Sequence, residues 1–75
     1  MPKFRITIAN TDFNTTIEQD LPDLSKAKTE ALKGLLAVAS EQVVAGTPFF
    51  GAEVTVSKGG ERARFIVALG VTELQ

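Results

Sequence analysis

The stretch Ala52-Glu53-Val54-Thr55-Val56-Ser57-Lys58-Gly59-Gly60-Glu61-Arg62-Ala63-Arg64-Phe65-Ile66-Val67 sets two alternating runs on either side of a Gly-Gly pair. Alternation at period two marks a strand with one buried face, and Gly-Gly between two such runs suits a two-residue hairpin turn. Pairing Lys58 with Glu61 brings Val56 opposite Ala63 and Val54 opposite Phe65, so the apolar residues of both runs share one side. The first run covers residues 52 to 57. The second, about 62 to 69, turns Ala63, Phe65, Val67 and Leu69 inward, while Ile66 and Ala68 share the other face with Arg62 and Arg64.

Upstream of this hairpin, Gly46-Thr47-Pro48 is a helix stop, with a glycine for the cap and a proline shortly after. The segment it closes runs from Leu24 to about Val44 at helical period. Leu24, Ala27, Ala31, Leu32, Leu35, Leu36, Val38, Ala39 and Val43 fall within about half of the helical wheel, opposite Lys26, Thr29, Lys33 and Ser40. Leu21-Pro22-Asp23-Leu24-Ser25 is the helix entrance: Pro22 disfavours helix before it, and Asp23 or Ser25 can accept from the free N–H groups of the first turn. Further upstream, residues 3 to 9 alternate with Phe4, Ile6 and Ile8 on one face. Asn10-Thr11-Asp12 supplies a turn, and Thr15-Thr16-Ile17 continues as a second strand up to Asp20. If Ala9 pairs with Asn14, Ile6 falls opposite Ile17 and Ile8 opposite Thr15.

The expected fold is therefore one α+β domain over residues 1–75 in the order ββαββ: a four-stranded, mainly antiparallel sheet with one long helix packed on one face. Two sheet orders fit, 2-1-3-4 and 2-1-4-3. Only the first is fully antiparallel, and antiparallel pairs are the commoner kind.

Composition narrows the chemistry. Hydrophobic residues make up 44% of the chain and charged residues 23%, as in a folded domain and unlike a disordered tail. There is no cysteine and no histidine, which removes disulfides, thiolate nucleophiles, zinc-finger ligands and an imidazole base. A core this small rarely supplies more than about 3–5 kcal/mol net, so close packing or self-association has to carry the stability. Eight Lys and Arg against nine Asp and Glu give a net charge of -1, so no overall field draws nucleic acid or an anionic membrane. The opening residues run straight into a strand pattern, and no apolar run approaches the roughly 20 residues of a membrane span. A cytoplasmic location is expected.

Met1-Pro2-Lys3-Phe4-Arg5-Ile6, the entrance Leu21-Pro22-Asp23-Leu24, and then Ala27, Glu30, Ala31 and Leu32 resemble a family of short uncharacterised proteins of about this length, mostly alphaproteobacterial. The resemblance covers essentially the whole chain and implies the same ββαββ order. The family has no assigned activity, so the resemblance implies no site residues. The chain departs from the pattern in having Asn10-Thr11-Asp12 where a glycine-containing first turn is usual, and in lacking an aromatic residue at the expected start of the third strand. Strands at both ends around one helix are also similar to antidote proteins of toxin–antitoxin pairs with a partial ribonuclease-H-like fold, and to dodecins. Dodecins stack a flavin on tryptophan, and this chain has neither Trp nor Tyr.

Among candidate sites, Asp20 and Asp23 are the only close carboxylates, and capping of a helix start accounts for them. Gly59-Gly60 is followed by a strand, whereas a phosphate loop needs a helix there. No catalytic, metal or cofactor residue is assigned. Lys3, Arg5, Arg62 and Arg64 point away from the helix and would form one phosphate-contacting basic patch if the first and fourth strands were neighbours. That face lacks the aromatics of a single-strand nucleic-acid platform, and Glu18 and Glu53 offset its charge. Gly34, in mid-helix, sits on a ridge with Ala27, Ala31 and Val38 where tight packing on the sheet or a dimer contact would explain it. Leu36, Val44, Ile66, Val71 and Leu74 are apolar residues left over once the core is filled. The expected function is a non-enzymatic interaction module that forms a homodimer, with Gly34, Leu36, Val38, Ile66, Val71 and Leu74 as interface candidates. The alternative is an antitoxin-like or nucleic-acid-associated regulator using the basic sheet face.

Overall fold

The structure, a computed structural model, describes residues 1–74. Strands β1 (Lys3–Ala9) and β2 (Asn14–Asp20) precede helix α1 (Leu24–Val44), and β3 (Phe49–Lys58) and β4 (Glu61–Gly70) follow it. They build one sheet in the order β2-β1-β3-β4, antiparallel throughout. The fold is the expected α+β arrangement with the fully antiparallel order.

Local chemistry ends each element where the sequence suggests. The Asn10 Oδ1 accepts the N–H groups of Asp12 at 2.8 Å and Phe13 at 2.9 Å, folding the first turn. The resulting register sets Ala9 against Asn14, Ile8 against Thr15 and Ile6 against Ile17. Asp23, in extended backbone, caps α1 through an Oδ1 that accepts the Lys26 N–H at 2.8 Å. At the other end the Thr47 N–H donates to the Gln42 carbonyl at 3.1 Å and the Gly46 N–H to that of Val43 at 3.2 Å. This paired closure needs a residue at positive φ, and Gly46 has φ 120°. Gly59, at φ 55°, opens the tight turn between β3 and β4, where Lys58 faces Glu61 and Val54 faces Phe65.

Three expectations need correction. β3 begins at Phe49, not near residue 52, so two aromatics stand at its start, and Phe50 is part of the core. Pro48 and Gly51 obscure that stretch because both weaken a strand signal. Of the four β4 residues expected inside, only Val67 is fully buried; Ala63, Phe65 and Leu69 are partly covered. The helix expected to pack on one face also covers only part of it: α1 lies over β3 and β4, meets β1 at its margin and leaves β2 bare. A helix about 10–12 Å across spans roughly two strands spaced about 4.8 Å apart, so four strands are more than one helix can shield. Ile17 on β2 stays 48% exposed for that reason.

The core is thin. Ala27, Ala31, Leu35 and Ala39 of α1 meet Phe4, Ile6, Phe50, Ala52, Val54, Val56 and Val67 of the sheet, with Leu21 closing one end. Three alanines on the contact stripe bring the helix backbone close to the sheet but bury little side chain.

Candidate functional site

The strand registers lay out the sheet face away from the helix as rows. One row runs Glu18, Arg5, Ser57, Arg62; the next runs Thr16, Thr7, Thr55, Arg64; the third runs Asn14, Ala9, Glu53, Ile66. Beyond them Gly51 stands beside Ala68 and Phe49 beside Gly70. The face therefore changes from charged at one end to apolar at the other.

At the charged end, β3 separates β1 from β4, so the four basic residues do not form the single patch that adjacent strands would give. Arg5 and Arg62 flank Ser57 across two strand spacings, about 10 Å. Lys3 faces Asp20 and Arg5 faces Glu18 across the β1–β2 ladder. Arg64 is paired with Glu53, its diagonal neighbour on β3. Lys3, Arg5, Lys58 and Arg62 still gather at one corner around Ser57, with Glu18 among them.

At the apolar end, Ile66 is 76% exposed and Phe49 63%. The Phe49 ring lies across the glycine backbones: a Cβ on Gly51 would stand 3.1 Å from its Cε1 and one on Gly70 would stand 3.6 Å from its Cδ2. The ring thus occupies space that side chains at those positions would fill, while its outer face is open to solvent. Ala68 continues this patch along β4. The Val71 N–H donates to the Pro48 carbonyl at 2.9 Å, extending the β3–β4 ladder one step past the strand end.

The six interface candidates do not converge on one surface. Ile66 lies on the outer sheet face, whereas Gly34, Leu36 and Val38 belong to the helix layer on the other side. Val38 lines a shallow recess of about 470 Å³ beside the first turn, with Asn10, Phe13, Gln42 and Phe49. Leu36, roughly 200° from Val38 round the helix, lies on the opposite flank. Gly34 is exposed, and a Cβ there would meet nothing within 4 Å, so tight packing on the sheet does not explain it. Val71 and Leu74 are exposed in the tail beyond β4. Phe49 and Phe13 are exposed apolar residues that the sequence reading passed over; extending the alternation back from Glu53 through Gly51 finds Phe49.

Every carboxylate except Glu30 is exposed, and Glu30 lies 3.2 Å from the Lys26 ammonium and 3.8 Å from that of Lys33. Among the described residues, no three carboxylates gather as a metal site would require, and no buried side-chain polar atom lacks a partner. No helix of the described residues is long and apolar enough to cross a membrane. Comparison with models of known families, with curated proteins and with solved structures gives no match.

Proposed function

We propose that the protein is a small interaction module that works by associating with itself and has no catalytic role. The observation that carries this reading is the contrast between a thin core and a broad apolar surface. Phe4, Leu35, Val54 and Val56 are the largest side chains shut off almost completely, whereas ten large hydrophobic residues among those described are exposed, with Ile66 and Phe49 together at the apolar end of the sheet. Contiguous exposed apolar residues mark interaction surfaces, and small domains commonly gain stability by oligomerising. Acid–base catalysis would need two titratable groups converging in a sheltered recess, whereas the described carboxylates other than half-buried Glu30 lie in the open. Sedimentation across a wide concentration range tests the reading. It predicts a species of twice the monomer mass at high micromolar concentration, and a monomer throughout rejects it.

A second reading has one observation in its favour: Lys3, Arg5 and Lys58 line a shallow recess with Ser57 and Glu18 at one corner of the sheet, and Arg62 stands beside Ser57. A nucleic-acid-associated regulator would use that corner. Its signature is binding to RNA or DNA that weakens steeply with added salt. Absence of binding at low salt removes it.

A further inference from the structure

The two edges of the sheet differ in a way that singles out one of them. β2 carries Glu18 and Asp20, and charges of that kind guard an edge against pairing with another chain. β4 has Glu61, Arg62 and Arg64 near the turn, but Phe65-Ile66-Val67-Ala68-Leu69-Gly70 has no charge, no proline and an unbroken register with β3. An uncharged, apolar edge segment is a template for another strand.

The backbone groups of β4 that face outward can be identified. Antiparallel partners alternate between pairs that exchange hydrogen bonds and pairs that do not. The Val71 N–H bonds to Pro48, so Val71 and the odd-numbered residues of β4 turn their polar groups toward β3. The even-numbered residues Arg62, Arg64, Ile66, Ala68 and Gly70 turn theirs to the open edge. Ile66 is the midpoint of that set.

We infer that two copies of this chain join edge to edge through β4, antiparallel about a two-fold axis at Ile66, making one continuous eight-stranded sheet with both helices on the same face. The inference rests on the self-association proposed above and names its geometry. With the axis at Ile66, Ile66 meets its own copy, Arg64 meets Ala68 and Arg62 meets Gly70, so every outward group on both edges is paired. The length of β4 selects the same register: an axis at Arg64 leaves Ala68 and Gly70 without partners in the other strand, and an axis at Ala68 leaves Arg62 and Arg64 without them. An axis at Phe65 or Val67 leaves an edge residue without a partner inside the strand. On the helix side, Phe65 meets Val67 and Ala63 meets Leu69, so the half-covered residues of β4 join one core across the two copies.

The surface leaves room for a partner. A folded monomer of 8.0 kDa is expected to present about 4,450 Å², whereas this one presents 5206 Å². That excess belongs to the whole chain, bare β2 and the tail included, and the β4 edge is one part of it. The radius of gyration is 13.8 Å, against about 11 Å for a globular chain of this length. A second copy is the occupant because its β4 offers the same uncharged run, and a two-fold pairing uses both open edges and closes. Pairing β4 with the acidic β2 of another copy would match opposite charges but leave a free β2 at one end and a free β4 at the other, which pair again and give a growing ladder.

Since the chain has no cysteine, Ile66→Cys supplies the only thiol. Hydrogen-bonded partners stand about 5.5 Å apart at Cα, within disulfide range. Oxidised Ile66→Cys should run as a covalent dimer without reductant, and Thr16→Cys on the β2 edge as a monomer. Ile66→Lys should sediment as a monomer with its circular dichroism unchanged. Ala68→Pro, which removes an outward N–H without touching the β3 ladder, should do the same. If the unaltered chain dimerises but Ile66→Cys does not cross-link and Ile66→Lys still dimerises, self-association stands and the edge pairing is wrong. A monomer at every concentration overturns both, and species that lengthen without limit overturn the two-fold axis.

Discussion

Gly59 and Gly60 are neighbours with different demands. Gly59 holds φ 55°, where a side chain is strained, while Gly60 has no such backbone and open space around its Cβ position. Gly59→Ala should therefore cost more than about 1 kcal/mol of unfolding free energy in urea, and Gly60→Ala should be neutral or slightly stabilising. Asp23→Ala removes the N-cap acceptor of α1 and should cost about 1 kcal/mol in the same assay. Gly34 separates local stability from assembly. With nothing near its Cβ position, Gly34→Ala should raise helix stability by roughly 0.8–1 kcal/mol. If it also leaves the sedimenting mass unchanged, Gly34 lies outside the interface. Residue chemistry of this kind was legible from the start: Asp23, Gly46 and Gly59 all act as their sequence context predicts. Phe49 and Phe50 were hidden because Pro48 and Gly51 break the alternation that would have announced them, and tertiary pairing with β4 overrides that local weakness.

The elements show where one-dimensional patterns lose information. Periodicity finds α1 and both hairpin registers because each is a local property of successive residues. It does not say where on the sheet the helix will lie. The wheel places Leu35 and Leu36 in the same apolar arc, yet Leu35 is 1% exposed and Leu36 46%. The difference arises because α1 covers β3 and β4 and leaves its flanks open. Leu35→Ala should accordingly cost about 2–5 kcal/mol in chemical denaturation. Leu36→Ala should stay within about 0.5 kcal/mol when assayed at a dilution that favours monomer. The basic patch failed for a related reason. Four cationic residues on one side of two strands become a patch only through strand order, and β3 lies between them. Its neighbours Glu53 and Ser57 then decide which charges remain free.

For the whole molecule, the small core and the open apolar edge are two sides of one arrangement. One helix shields about half of a four-stranded sheet, and the half-covered residues of β4 line an edge with no built-in guard from Phe65 onward. If pairing through that edge contributes to the fold, the unfolding midpoint should rise with protein concentration, since a partner that binds only the folded chain stabilises it by mass action. Amide hydrogen exchange along β4, followed residue by residue at high and low protein concentration, tests the edge pairing most directly. The odd-numbered amides from Ala63 to Leu69 bond to β3 and should be protected at both concentrations, while those of Arg64, Ile66 and Ala68 should be protected at high concentration and lose protection on dilution. Rapid exchange at Arg64, Ile66 and Ala68 at every concentration, beside slow exchange at the odd positions, would mean that the edge stays open and would contradict the account.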